Sequence, residues 1–463
     1  MLDNYLYTWP HEELSSDPAW KKSTHPGFIE HAMPETEEKL SKDSRWPGFF
    51  PSAICFVTTS NGDQTALEKV VGATIVNRFP YIVALSFCTK PLSKRHYVRE
   101  NFMKMLESGK TVAVQYFEPG AFIDKAMNAI NTVDDEIIHE RIKATGLETK
   151  KAQTNDSPVF KDAYLVYEAR LVKPGKDFEG QAIFEKPYTD FGSHRIYYLE
   201  IEAIQLREDI TKCDSQILWK SLPHWSSQKP LQQTPQNISQ PLIDVKYQKG
   251  YNTEYYFPAK NTIGFEYDKI EEGMAVKFLP PLPEDQVEVD NDKARWPCFF
   301  PSSVGMITSW GTDGTPNLMP CGSTSILVRH PLCVAICVSY AKINVRYAPR
   351  ASLDSLLQQK KFICGVPFVN DTVIDAIKYS GNISVAQDKN KVVNSGLEYF
   401  KDDYGPFLPA LPINFRCKIV DVVRLGTHFL MLGEVESVIV RDDVTKQNCL
   451  KWYSYPDVLK VKS

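Results

Sequence analysis

An eight-residue segment that occurs twice constrains this chain more than any other feature. Arg45-Trp46-Pro47-Gly48-Phe49-Phe50-Pro51-Ser52 returns as Arg295-Trp296-Pro297-Cys298-Phe299-Phe300-Pro301-Ser302, seven of eight positions identical at an offset of 250 residues. Trp, Pro and Phe are scarce, so coincidence explains this poorly, and recurrence at a fixed offset is the mark of a repeated architecture. The same offset pairs Thr58 with Thr308, Gly72 with Gly322, Thr74 with Thr324, and Gly146-Leu147-Glu148 with Gly396-Leu397-Glu398. Farther along the offset falls to 234, because the first copy carries extra residues around 173–191. There Gly192-Ser193-His194 meets Gly426-Thr427-His428, and Asp209-Ile210-Thr211-Lys212 meets Asp443-Val444-Thr445-Lys446. Gly27-Phe28 and Gly264-Phe265 form a looser pair upstream. A chain of 463 residues is long enough for two such domains.

The expected organisation is an N-terminal extension (1–44), a first domain (45–225), a linker with the extension of the second copy (226–290), and a second domain (291–463). The join falls in 226–241, rich in Gln, Ser and Pro, the composition of an exposed linker.

The second copy reads most clearly. Ser303–Trp310 is a β-leaning run, Gly311-Thr312-Asp313-Gly314 a hairpin turn, and Leu332–Tyr340 a continuous apolar stretch of buried-strand length. Leu353, Leu356 and Leu357 give Ala351–Lys361 a helical face, Lys361–Phe368 is a strand, and Thr372–Tyr379 is helical. Phe415–Val423 and His428–Val440 are long strands around a tight turn. The first copy repeats this order: strands at Ala53–Thr59 and Tyr81–Phe87, a helix near Arg99–Glu107, then strands at Lys110–Tyr116, Ala163–Val172 and Arg195–Leu206. Strands dominate and helices are short, which argues for β-barrels with peripheral helices rather than alternating β-α units.

Composition excludes several function classes. With 53 Lys and Arg against 57 Asp and Glu, the net charge is -4, and no basic footprint for nucleic acid stands out. No apolar run approaches the ~18 residues that suggest a membrane span, and the acidic, aromatic N-terminus does not read as a signal peptide. Ten cysteines include no C-x-x-C pair, and several (Cys55, Cys364, Cys417) sit in apolar stretches, so they read as buried free thiols in a reducing, cytoplasmic setting. No metal site is expected.

In the second copy, Gly322-Ser323-Thr324-Ser325 precedes an X-Pro step (His330-Pro331) into the apolar strand, and the chain later reads Gly426-Thr427-His428-Phe429-Leu430-Met431-Leu432-Gly433-Glu434-Val435. This pattern resembles the flavin reductase-like family, whose members carry a Gly-Asp-His-like turn followed by a Gly-Glu-Val-type strand. The resemblance covers about 140 residues of the second copy and, more loosely, a similar stretch of the first. It implies a mainly β fold with peripheral helices: two tandem split β-barrels that form a pseudo-dimer within one chain, or a homodimer of such chains. It also implies FMN or FAD near the barrel–barrel interface and NADH or NADPH as reductant.

Gly322, Ser323, Thr324 and Ser325, with Ser339, Lys342, Asn344 and Arg346 after the apolar strand, stand where the family contacts its flavin. Hydroxyls, an amide and two cations suit a phosphate. The alternative is that the hydroxyls satisfy strand ends and the cations face water. The first copy keeps Thr74 and Lys90 but loses two of the three hydroxyls, so either one cleft works or both do. His428 and His194, at matching turns, are the candidates for proton handling beside the cofactor, or else turn histidines bonded to backbone. No Rossmann fingerprint is present, so a nicotinamide is expected in the flavin cleft itself. Three functions fit the resemblance: hydride transfer from NADH or NADPH to FMN or FAD, with the reduced flavin serving a partner monooxygenase; a flavin-dependent oxidase or monooxygenase with its own organic substrate; or a non-catalytic ligand-binding scaffold.

Overall fold

The computed structural model describes residues 20–32, 54–77, 80–90, 98–117, 121–163, 165–206, 265–271, 274–278, 303–341, 349–367 and 371–442. The Arg-Trp-Pro segments and the Gln-rich join lie outside them. The chain opens with a hairpin, β1 (Trp20–Lys22) and β2 (Phe28–Ala32). The first half continues through β3 (Cys55–Ser60), β4 (Thr65–Val70), β5 (Ala73–Asn77), β6 (Ile82–Cys88), helix α1 (Glu100–Gly109), β7 (Thr111–Tyr116), α2 (Ala121–Thr132) and α3 (Arg141–Thr145). It ends with β8 (Thr149–Lys151), β9 (Pro158–Phe160), β10 (Leu165–Leu171), the short β11 (Gly175–Lys176), β12 (Ala182–Ile183) and β13 (Tyr188–Phe191), then β14 (His194–Leu206). A second hairpin, β15 (Phe265–Glu271) and β16 (Met274–Phe278), precedes β17 (Ser303–Trp310), β18 (Pro316–Arg329), β19 (Leu332–Ser339), α4 (Leu353–Gln359) and β20 (Lys361–Val366). Helices α5 (Asp371–Asn382) and α6 (Lys391–Asn394) lead to β21 (Ile413–Arg424) and β22 (His428–Arg441).

In the second half six strands close a ring, β17-β18-β19-β22-β21-β20, with β20 returning to β17 and β21 paired to β22. The first half has the order β4-β3-β7-β10-β14-β6-β5, and its wall breaks between β4 and β5 at Val71–Gly72. Strand β18 runs unbroken where the first half has β4 and β5, but it carries a register shift opposite Ser303–Gly305, at Gly322 and Ser323. Extra residues on one strand release local ladder bonds and re-aim the side chains beyond them.

Local chemistry explains the elements. All eight residues of β19 are buried, as an unbroken apolar run requires. The β17–β18 turn closes with Gly314 N–H donating to the Gly311 carbonyl (2.9 Å), and Gly314 sits at φ +78°, where glycine costs least. Helices α1 and α4 stop alike, on Lys110 and Lys360 in left-handed conformation, whose N–H groups donate to Leu106 and Leu356 carbonyls.

Apolar side chains fill each barrel separately, with Val57, Leu85 and Tyr197 in the first and Ile307, Phe362 and Val438 in the second. A third core lies between the barrels, where Ile82, Ala84, Ile196 and Tyr198 meet Leu327, Ala335, Leu430 and Leu432. Cys55, Cys333, Cys364 and Cys417 are buried free thiols, and burial pushes the Cys55 thiol up to about 12.

Strand β2 does not join the half it precedes. It pairs with the end of β22, Phe28 opposite Arg441 and Ala32 opposite Ser437. Arg416 ties this hairpin down, donating to Glu30 (2.6 Å) and to Asp402 (2.5 and 2.9 Å), while His25 stacks on Phe407 with ring centres 3.8 Å apart. The hairpin before the second half lies against the first barrel in the same sense, β16 beside β14.

Candidate functional site

Period-two alternation places the sequence-predicted site residues. Ser339 shares a face of β19 with Ala335 and Cys337, and His428 shares a face of β22 with Leu430 and Leu432; all four of those neighbours belong to the core between the barrels. Ser325 stands opposite Ala335 in the ladder and so faces the same seam. Ser339 and His428 are direct ladder partners, and Ser325 lies ~13 Å farther along. In the first barrel, Thr74 is opposite Ala84, and His194 shares its face with Ile196 and Tyr198. The seam therefore collects Ser325, Ser339 and His428 from one side and Thr74 and His194 from the other. All five are buried.

Ladder positions adjust the sequence match by one residue. Thr74 opposite Ala84 corresponds to Ser325 opposite Ala335, not to Thr324. Thr324 packs on Gly305 and donates its hydroxyl to the Cys321 carbonyl (2.8 Å), which binds it into its own strand. Gly322 and Ser323 form the half-buried register shift. Lys90 is exposed. Lys342, Asn344 and Arg346 lie outside the described residues.

Two buried hydroxyls at the seam, Ser339 Oγ and Thr74 Oγ1, have no hydrogen-bond partner among the described residues. A buried unsatisfied polar group costs about 1–3 kcal/mol, so each is a place where a ligand's polar edge is stabilised. A flavin, with carbonyl and N–H groups around a flat ring, fits such a donor set.

Three groups that sequence reasoning missed frame the second-barrel histidine. Asn77, at the end of β5, reaches across the seam. Its Oδ1 accepts from Thr427 N–H (2.7 Å), Thr427 Oγ1 (2.9 Å) and His428 N–H (3.1 Å). Thr427 Oγ1 lies 2.7 Å from His428 Nδ1. The extra segment of the first half contributes Asp177, which accepts from the Tyr340 phenol (2.5 Å) and from Arg424. Burial alone would raise the Asp177 carboxyl; these donors and the N–H groups of Gln181 and Glu179 hold it below the usual carboxylate range. Burial, with Asp177 beside it, pushes the Tyr340 phenol up. Tyr340 also packs on Phe429, the rings tilted by 32° with centres 4.4 Å apart, and its N–H donates to the Thr427 carbonyl (3.1 Å). The sequence signal for Asn77 was an amide ending an otherwise apolar strand, and for Asp177 the insertion itself.

Fold and seam together define a mainly β protein of two barrels, with Ser325, Ser339, His428, Thr74 and His194 turned to the face between them. Residues 297–456, which contain the second barrel, match the family model described as Flavin reductase like domain. A search of curated protein sequences finds no match. Among solved structures, flavoredoxin of Desulfovibrio vulgaris is 19% identical, the match covering 35% of this chain and 78% of that one at a TM-score of 0.27. Nitrilotriacetate monooxygenase component B from Bacillus cereus is 18% identical over 34% and 79%, TM-score 0.29. An NADH:FAD oxidoreductase of Streptomyces globisporus is 16% identical over 30% and 82%, TM-score 0.24.

Proposed function

We propose that the protein is a flavin-dependent oxidoreductase of the flavin reductase type, with its working cleft on the second-barrel side of the seam. The observation that carries this reading is the coincidence of the family match with a seam face bearing Ser325, Ser339 and His428. When bound, FMN or FAD supplies the hydride acceptor for NADH or NADPH, and the reduced form serves a partner monooxygenase or an organic substrate. Ser325 and Ser339 orient the ring edge, and Gly322 and Ser323 let the backbone approach it. Lys342, Asn344 and Arg346 balance the phosphate. His428 exchanges a proton beside the ring. The apolar seam around Leu430 and Leu432 excludes water.

On the other side Thr74, Lys90 and His194 form a reduced set, and we read the two halves as diverged copies of which the second keeps the site. The test is an absorbance spectrum of the full chain with FMN, followed by anaerobic NADH and NADPH titration. Flavin that binds in a one-to-one ratio and bleaches supports the reading. Absence of flavin binding overturns it and leaves a scaffold; flavin that binds without bleaching points to a different reductant or substrate.

A further inference from the structure

Each barrel's last strand opens on a histidine preceded by a hydroxyl residue, and in each the hydroxyl lies 2.7 Å from the Nδ1 atom. The seam treats the two pairs differently. Asn77 Nδ2 donates to the Pro80 carbonyl (2.7 Å), which fixes the amide so that Oδ1 points at Thr427. The backbone N–H groups of Thr427 and His428 are obligate donors, and both meet that oxygen. Thr427 Oγ1 sits 2.9 Å from the same oxygen, a separation that is repulsive unless a hydrogen lies between them. A hydroxyl has one hydrogen. Once it is directed at Asn77, Oγ1 can only accept from His428 Nδ1.

We propose that Asn77 of the first barrel is a positioning residue that fixes His428 of the second as the Nδ1–H tautomer, with Nε2 as the basic nitrogen of the neutral ring. Proton uptake then leaves the Nδ1–H bond to Thr427 in place, so His428 changes charge without rearranging its support. The first-barrel histidine lacks this device. The ladder place of Asn77, opposite Ile82, is held in the second barrel by Val328, opposite Cys333, which has no amide. Ser193 directs its N–H to the His330 carbonyl (2.8 Å) instead. Among the described residues its hydroxyl meets only His194, and no amide oxygen directs that hydrogen as Asn77 does for Thr427. Of the two seam histidines, His428 is the one whose tautomer is set by an amide from across the seam. The link to catalysis rests on the proposed function; the tautomer itself does not.

The test is long-range proton–nitrogen NMR of the histidine-labelled, flavin-free full chain at a pH of about 8, where an ordinary imidazole is neutral. His428→Gln identifies the signal among nine histidines. The expected result is Nδ1–H for His428, lost to a mixture in Asn77→Leu and in the near-isosteric Thr427→Val, and kept in Thr427→Ser. An Nε2–H ring in the unmodified protein overturns the inference, as does an Nδ1–H ring that persists in both Asn77→Leu and Thr427→Val. With FMN and NADH, Thr427→Val should lower kcat roughly tenfold with KM little changed, and Thr427→Ser should restore it. If the unmodified protein shows the Nδ1–H ring but neither binds FMN nor oxidises NADH, the proposed function fails and the tautomer assignment stands.

Discussion

The two barrels solve the same packing problem with opposite treatments of buried charge. In the first, Glu68 lies inside the wall at 1% side-chain exposure, accepting from Arg141 at 2.5 Å and from Arg99. Its ladder place, opposite Val57, is taken in the second barrel by Met319, opposite Ile307. The counterpart of Arg141, by the repeat through Gly146 and Gly396, is Lys391, buried yet without a hydrogen bond or ion pair from its ammonium to any described residue. Burial and nearby Arg350 push that ammonium down to about 7. The first barrel neutralises its cations with a side chain of its own. The second leaves one buried cation without an ion pair among the described residues, and this is also the half that matches the flavin reductase-like domain.

The comparison can be broken at its largest effect first. Glu68→Leu removes the carboxylate shared by buried Arg141 and half-buried Arg99 and should cost about 3–5 kcal/mol, whereas Lys391→Met should be neutral or stabilising. Denaturant unfolding of the two variants checks this, and equal losses would erase the contrast. Asp177→Asn should cost about 1.5–3 kcal/mol, because it removes a charged acceptor from Tyr340 and Arg424. It should also bring the Tyr340 phenol down, readable by ultraviolet titration. Gly192→Ala drives a Cβ into the His330 carbonyl at φ +56° and should cost about 1–3 kcal/mol, with faster hydrogen exchange at Ser193. Gly314→Ala, with open space around its Cβ, should cost less.

The remaining contrast is the pH dependence of Lys391. Its folded value of about 7 lies below the ordinary 10.5, so between those limits the unfolded chain holds a proton that the folded one lacks. Stability from this group therefore rises as pH climbs from about 7 toward 10, and below 7 the buried charge counts fully against folding. The stability of the unmodified protein minus that of Lys391→Met should climb between pH 7 and pH 9. A flat difference would mean the ammonium finds relief elsewhere.

Much of the second barrel was legible because its signals are local. The apolar run gave β19, the glycines gave the β17–β18 turn, and leucine spacing gave α4. The last two strands and the histidine between them were equally plain. Long-range matters were not. Nothing near Glu68 announces that Arg99 and Arg141, far along the chain, converge on it. The turn between β17 and β18, residues 311–315, is one residue longer than its counterpart at 61–64 and moves the hydroxyl correspondence from Thr324 to Ser325, which an offset count cannot see. Asn77 is one amide in an apolar strand until the other barrel supplies Thr427 and His428.

The pairing of β2 with the end of β22 carries a consequence for how this protein is made. The ribosome releases residues 28–32 early, but their partners, 437–441, are among the last described residues to emerge. Contacts between distant parts of a chain form slowly, and domains otherwise tend to fold as they are synthesised. The opening hairpin must therefore wait, with Phe28 and Ile29 unsheltered, until residues 437–441 have been translated. Assembly finishes with the two ends of the described chain meeting on one sheet, so a nascent protein halted before β22 lacks the strand on which its own beginning docks.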